Sequence, residues 1–328
     1  EQAKKVYKRL NIEFDSYLGE SFYVNKVADV EKRLNGKCLL ATSEGAEVVA
    51  LGDDMPPAII RRSDGASLYI ARDLAAAYYR HENYNFDKCL YVVASHQALH
   101  FKQLFKVLEL MGEPWAGDMV HVSYGMVSVE GMSLSTRRGN VLYLSDVLDA
   151  AVEKATAIIA ERNPSLKDRN GVAESVGVGA VVFDALYDGR LKDKNFSLAD
   201  ALNFDGETGP YVQYTHARCR SVLAKAGYSS GATDKIDCAQ LLDDEAYEVI
   251  KLLADFDETV YSAAVKYEPS IVSRRLVKIC QAFNRFYNAD RIMCGGDAEK
   301  ARLALTERVA DTLKYGLGLV LLDAPERM

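Results

Sequence analysis

No run of eighteen or more apolar residues occurs in the 328-residue chain, so no stretch reads as a membrane-spanning helix. The opening residues lack the charged, apolar and small-residue succession of a secretory signal. Six cysteines (Cys38, Cys89, Cys219, Cys238, Cys280 and Cys294) never fall at CxxC spacing, which indicates neither a zinc site nor a disulfide framework. His96 and His100 stand four apart, but no third ligand or HExxH glutamate accompanies them, and a structural or ligand-lining role outweighs zinc. No metal site is expected. A basic excess is lacking too: 40 Lys and Arg against 47 Asp and Glu leave a net charge of −7. Such a chain does not adhere to nucleic acid at large, and any RNA contact must come from local basic patches. Together these absences lead us to expect a cytoplasmic protein without membrane contact. The chain opens on Glu1, already inside an amphipathic stretch, and we expect it to be part of a longer protein.

Apolar residues make up 49% and charged residues 27%, the balance of a globular chain with room for one large or two ordinary cores. Residues 1–18 have helical character, with Val6, Leu10 and Phe14 on one face, and a second helix is predicted over 24–34. Short strands are predicted around Gly45, and another over 58–62 after the stiff Pro56-Pro57. The alanine-rich stretch from Tyr69 is a strong helix signal. Residues 88–94, KCLYVVA, form the nearly continuous apolar run of a sheet covered on both sides. That run ends at Ser95-His96-Gln97, before a helix predicted over 98–111. Residues 58–144 therefore read as the later half of a doubly wound nucleotide-binding fold. From Ser145 onward no further strand is predicted. Helices are predicted over 145–162, 172–187, 207–225, 244–267, 270–293 and 298–322, with a bundle from about residue 190.

Two groups of residues point to chemistry. In the first, Val120, Val122 and Tyr124 alternate with His121 and Ser123 as a strand does, and the chain then breaks into Glu130-Gly131-Met132-Ser133-Leu134-Ser135-Thr136-Arg137-Arg138-Gly139-Asn140. An apolar run from Val141 to Leu144 leads to Ser145 and Asp146, good starters for a helix. Small residues let the backbone approach phosphate oxygens, and two guanidinium forks match them, so the loop reads as an anion binder. An ordinary solvated turn fits the same residues equally well. The second group is Tyr69, Arg72 and Asp73, followed by Ser95, His96 and Gln97. Tyr69 and Asp73 share a helix face. A buried carboxylate facing an aromatic hydroxyl and an amide is a cage for a guanidinium. The plainer alternative is an aspartate tying down its own first helical turn.

The order of these elements resembles that of arginyl-tRNA synthetases, members of the class I aminoacyl-tRNA synthetases. Leu134-Ser135-Thr136-Arg137-Arg138-Gly139 stands for their KMSKS signature loop in the form MSTR-K/R-G. Ser133 takes the place of the first lysine, which leaves the identity of the main triphosphate-binding cation open. SDGASLYIARDLAAAYYR, FDKCLYVVASHQALHFKQLFKVLELMG, NFDGETGPYVQYTHARCRSVL and the closing APERM carry the likeness over essentially the whole chain. The resemblance implies the C-terminal part of a Rossmann-type α/β catalytic domain over 1–189 and an all-α DALR anticodon-binding domain over 190–328. It also implies that Tyr69, Asp73 and Gln97 hold arginine, that backbone groups of Gly125, Met126 and Val127 meet adenine, and that Ser133, Leu134, Ser135, Thr136, Arg137 and Arg138 serve the triphosphate. The implied reaction joins arginine to ATP and passes it to the terminal ribose of a tRNA. ATP with Mg²⁺ is a substrate, no tightly bound cofactor is expected, and the protein is expected to be a monomer. No HIGH-type sequence occurs, so these residues are expected to hold half of an active site and to be inactive by themselves. A non-catalytic tRNA-binding fragment is the alternative. Cysteinyl-tRNA synthetases share the DALR type, but their zinc cysteines are not found here.

In the helical part, Tyr211, Gln213, Tyr214, His216, Arg218 and Arg220 put aromatic and basic side chains on one segment. Val272, Leu276, Ile279, Phe283 and Phe286 form a core stripe at helical spacing, with Arg274, Lys278 and Arg285 on another face. Charges so placed usually do no more than face solvent. Their interleaving with Tyr211, Tyr214 and Tyr287 suits single-stranded RNA, whose unpaired bases stack on aromatics. The anticodon is the expected target.

Overall fold

The computed structural model describes residues 2–129, 142–229, 236–289 and 291–328, and the backbone alone of Met132 and Ser133. The chain divides into two units, Phe14–Met126 and a second made of Glu1–Glu13 with Val127–Met328. The first helix, α1 (Gln2–Arg9), belongs to the second unit and buries no residue. Asn11 is left-handed, with φ 55°, so the helix predicted over 1–18 stops halfway. A helix this short, with no face against a core, has too few bonds to propagate.

In the Phe14–Met126 unit, α2 (Val27–Gly36) precedes β1 (Leu40–Ser43), β2 (Ala46–Val49) and β3 (Ala58–Arg61), which form an antiparallel sheet in that order. Glu44 (φ 48°) and Gly45 (φ 80°) close the β1–β2 hairpin, both with the positive φ that a tight two-residue turn requires. Next come α3 (Tyr69–Tyr84), β4 (Cys89–Ala94), α4 (Ala98–Leu110) and β5 (Met119–Tyr124). Strands β4 and β5 pair in parallel from Cys89↔Met119 to Ala94↔Tyr124, with α4 as the crossover between them. Leu34, Ile60, Leu74, Leu104, Leu108 and Met111 are fully buried in one core. The face of β4 that carries Tyr91 lies on that core. The opposite face does not meet the two-sided cover expected of it: Leu90 is 44% and Val92 66% exposed. Of the strands predicted over 58–144, only β4 and β5 pair in parallel; β3 belongs to the antiparallel sheet.

In the second unit, β6 (Val127–Val129) and β7 (Met132–Ser133) precede α5 (Leu144–Arg162) and α6 (Arg169–Tyr187). Then β8 (Lys194–Phe196) returns to pair in parallel with β6, giving the order β7-β6-β8. This strand was not expected. It is three residues long and is defined by a partner more than sixty positions away, which no local period reveals. Helix α5 starts one residue before Ser145, with Tyr143 at the cap and no side-chain bond there, so Ser145 and Asp146 lie in the first turn instead.

The remaining helices are α7 (Leu198–Ala201), α8 (Gly209–Lys225), α9 (Asp244–Ala254), α10 (Phe256–Lys266), α11 (Ser270–Ala289) and α12 (Gly296–Leu319). The helix predicted over 244–267 is broken at Asp255 into α9 and α10. Val272, Leu276, Ile279, Phe283 and Phe286 are all buried, as their spacing predicts. Phe183 of α6 shares their core, so residues 189 and 190 meet inside this unit. Two glycines permit close helix approach: a Cβ on Gly177 would lie 2.7 Å from the Val152 main chain, and one on Gly209 would lie 2.8 Å from the Gly179 carbonyl oxygen.

Candidate functional site

Helix α3 begins after Leu68, whose extended backbone leaves the first turn open. Tyr69 and Asp73 lie one turn apart there. The Tyr69 ring is 66% exposed, and the Arg72 guanidinium sits 5.6 Å from its centroid while pairing with Glu20. Asp73 is not the buried carboxylate expected from the sequence. It is partly exposed, and its Oδ2 lies 2.6 Å from His100 Nε2. His100 stands on α4, one turn after Gln97, which is exposed in the 3-10 turn Ser95–Gln97 at the carboxyl end of β4. The chain thus brings Asp73 and His100 together, with Tyr69 one helical turn before Asp73 and Gln97 about one turn before His100. The part His100 plays was not legible beforehand, because Asp73 and His100 are 27 residues apart on different helices. Among the described residues, no group of three His, Cys, Asp or Glu is placed to hold a metal ion.

Gly125 and Met126 connect β5 to β6, and Val127 opens β6. Gly125 is buried, whereas the Met126 and Val127 side chains are half exposed. Ser133 ends β7 as backbone, and Leu134, Ser135, Thr136, Arg137 and Arg138 lie outside the described residues.

In the second unit the central cation is Arg218 of α8. Its guanidinium lies 5.0 Å from the Tyr214 ring centroid and 5.4 Å from that of Tyr287. Nη1 donates to Asn284 Oδ1 at 2.6 Å, which fixes the plane of the group. A cavity of about 360 Å³ opens here, lined by Tyr214, Arg218, Ser221, Lys225, Tyr287 and Met328. Tyr214 and Tyr287 are partly exposed, as a stacking face must be. Tyr211 is not such a face. It packs against the core, and its hydroxyl accepts from Asn284 Nδ2 at 3.0 Å, so it supports the amide that holds Arg218.

Arg274, Lys278 and Arg285 are exposed on one side of α11. At 100° per residue, Tyr287 falls on another side, so the expected interleaving of these charges with that ring does not occur. Arg274 Nε also donates to the Tyr187 carbonyl at 3.2 Å. Arg218 was legible as a basic residue among aromatics, but its two ring contacts come from α8 and α11, 73 residues apart in the case of Tyr214 and Tyr287.

Residues 1–198 match the family model of the class I tRNA synthetases (R), catalytic domain, and residues 212–328 match that of the DALR anticodon binding domain. The chain is 47% identical to the arginine–tRNA ligase of Halothermothrix orenii and 49% identical to that of Clostridioides difficile, over its full length in both cases. It spans 58% of the length of each of these relatives. Among solved structures, Thermus thermophilus arginyl-tRNA synthetase superposes with a TM-score of 0.89 at 26% identity, over 99% of this chain and 62% of that one. With part of a class I catalytic domain followed by a DALR helical domain, the chain belongs to the arginyl-tRNA synthetase family of class I aminoacyl-tRNA synthetases.

Proposed function

We propose that the chain supplies four parts of an arginyl-tRNA synthetase: the arginine side-chain pocket, the adenine-binding strand end, the triphosphate loop and the anticodon-reading helices. The two domains meet at about residues 189 and 190 in this reading. The observation that carries it is the Asp73 carboxylate, open to solvent on the helix face that bears Tyr69 and held through one oxygen by His100. A planar guanidinium can donate two parallel bonds to such a carboxylate, which the point charge of an ammonium cannot match. Tyr69 and Gln97 complete the recognition with a hydroxyl and an amide. Gly125, Met126 and Val127 offer backbone groups and apolar surface to adenine.

The arginine carboxylate attacks the α-phosphorus of ATP, which arrives as its Mg²⁺ complex; pyrophosphate leaves, and arginyl-adenylate remains. A hydroxyl of the terminal tRNA ribose then attacks the activated carbonyl carbon, and AMP leaves. In-line displacement needs charge stabilisation on the leaving pyrophosphate more than covalent help, and Arg137, Arg138 and the hydroxyls of Ser133, Ser135 and Thr136 are the groups assigned to it, beside Leu134. On the tRNA side, Tyr214, Tyr287 and Arg218 take an unpaired base, while Arg274, Lys278 and Arg285 meet phosphates. The protein acts as a cytoplasmic monomer in this reading.

tRNA-dependent ATP–pyrophosphate exchange tests the proposal, measured on a protein that carries this chain together with the remaining length its relatives have. Exchange with arginine and none with lysine is expected, and exchange driven by another amino acid overturns the assignment. The 328 residues alone contain no HIGH-type sequence and should show no exchange. Turnover close to that of the longer protein would remove the need for any such partner sequence.

A further inference from the structure

We infer that Gln213, His216 and Arg220 are positioning residues that hold the segment after α12, residues 321–328, so that its residue Met328 borders the cavity beside Arg218, and thereby set how that cavity discriminates RNA. The inference rests on the reading of that cavity as a site for an RNA base. Helix α8 runs through a core, yet positions 213, 216 and 220 are polar and recur at the spacing of a single helix face. Gln213 and His216 are both 0% exposed. Each bonds to the main chain of the 321–328 segment: Gln213 Nε2 donates to the Asp323 carbonyl at 2.9 Å, and His216 Nδ1 to the Pro325 carbonyl at 3.0 Å. One turn on, Arg220 Nε donates to the Glu326 carboxylate at 2.7 Å. At the C-cap of α5, Asn163 Nδ2 donates to the Met328 main-chain oxygen at 2.9 Å.

A buried imidazole left without its acceptor costs more than the bond itself returns, and the Gln213 amide, which also donates to the Ser175 carbonyl at 3.2 Å, ties the segment to α6 as well as to α8, so these side chains and the segment lock each other. Leu321 enters the segment at φ 63°, turning the chain away from the α12 axis; Leu322 is buried, and Ala324 and Met328 pack against cores at partial burial. The hydrogen bonds add registration to these apolar contacts, because each fixes one backbone position along α8. They hold Met328 at the edge of the cavity, which it lines together with Tyr214, Arg218 and Tyr287, while it also packs against the core of Ala155, Ile159 and Ala173. Helix α8 thus presents two faces. Tyr214, Arg218 and Ser221 line the cavity, and Gln213, His216 and Arg220 bond to the segment that carries Met328. A shift of the segment along α8 changes the distance between Met328, an adaptable apolar residue, and the stacked guanidinium.

The test uses the full 328-residue chain, an arginine-accepting tRNA transcript and the same transcript with its anticodon replaced. Amide hydrogen exchange over 321–328 reports the lock, and the ratio of the two Kd values reports discrimination. Gln213→Leu and His216→Phe should speed exchange in the segment and lower the ratio roughly tenfold, the size of one lost base-stacking contact. His216→Gln, which can still donate to the Pro325 carbonyl, should keep both readouts near wild type. Met328→Ala should lower the ratio while exchange stays slow. If the core variants fail to fold, Met328→Ala and the more exposed Arg220→Gln decide alone, the latter shifting both readouts in the same direction by less. Faster exchange with an unchanged ratio overturns the inference, as does slow exchange in the Gln213 and His216 variants. Tyr214→Ala and Tyr287→Ala separate the two ideas. A ratio unchanged in them brings down the base-site reading and this proposal with it, whereas a ratio lost there but kept in Met328→Ala and Gln213→Leu brings down the positioning role alone.

Discussion

In the Phe14–Met126 unit the candidate arginine pocket stands on element ends: the first turns of α3, the 3-10 turn after β4, and the start of α4. Its side chains are exposed or half exposed, and a single contact between Asp73 and His100 ties the two helices together at the site. In the second unit the candidate RNA site stands on helix interiors. Arg218 is held between rings from α8 and α11 and braced by Asn284 and Tyr211, and its cavity is bordered by Met328, whose segment bonds to buried polar groups of α8. The difference follows from the ligands proposed. A guanidinium brings its own charge and geometry, so an open carboxylate is enough to wait for it. An unpaired base brings a broad apolar face and must be met by surfaces already set at the right spacing.

The largest effect should come from the open carboxylate. In a protein carrying the chain with the rest of its relatives' length, Asp73→Asn should cost about 2–4 kcal/mol in kcat/KM for arginine, the usual loss when one member of a hydrogen-bonded charge pair is truncated. Steady-state exchange kinetics give the number, and an unchanged kcat/KM returns Asp73 to a purely structural role. His100→Ala, which removes only the brace, should raise the KM for arginine less than Asp73→Asn does. An equal loss in the two variants would mean that the pair acts as one unit.

The helical unit should yield most to overpacking. Gly177→Ala places a Cβ against the Val152 backbone, where no flexible side chain can give way, and should cost about 1–3 kcal/mol or more. Urea unfolding followed by α5–α6 hydrogen exchange checks it, and protection in α3 and α4 should change little.

For the RNA site, Tyr214→Ala and Tyr287→Ala should each weaken cognate tRNA binding by about 1–3 kcal/mol, and weaken an anticodon-swapped tRNA less. Arg274→Ala, Lys278→Ala and Arg285→Ala should weaken both tRNAs alike, each flattening the log Kd against log salt slope by about 0.7–0.9. Titrations across a salt series distinguish these behaviours. A tyrosine variant that behaves like the α11 charges would erase the contrast between stacking and phosphate contact.

The smallest effect expected is a pH dependence. Burial holds the His216 imidazole below its usual range, with Arg220 and Lys314 acting in the same direction and the Pro325 carbonyl and Glu326 opposing. The unfolded chain takes up a proton near the ordinary value of about 6.5, before the folded chain does, so stability falls as pH drops below that point. Burial pushes the Glu326 carboxyl up, but the Arg220 bond and the Arg220, His216 and Lys314 charges together hold it below its usual range. Its contribution is present above the unfolded value of about 4.3 and is lost as pH falls through the folded one. Denaturation midpoints of wild type and His216→Gln from pH 7.5 to 5 should converge toward the acid end. Parallel curves would show that His216 titrates no differently in the folded protein.

Much of this molecule was settled by local pattern. Alanine content specified α3, the stripe from Val272 to Phe286 specified α11, the short strands around Gly45 were read from alternation, and the motif order around Tyr69, Asp73, Gln97 and the Ser133–Arg138 stretch pointed to the family. Only the tertiary structure decided which polar residues were inward. Gln213, His216 and Arg220 read as a surface of RNA-binding type beside Tyr214, because composition carries no sign of which acceptors will lie opposite. Those acceptors are main-chain carbonyls and a carboxylate about a hundred residues away, and they exist only once α12 has returned past α8. The same holds for β8, the open face of β4 and the Asp73–His100 pair. Helical and strand periods record what a segment does with its own neighbours, whereas pairing across the fold depends on which distant groups remain to satisfy one another.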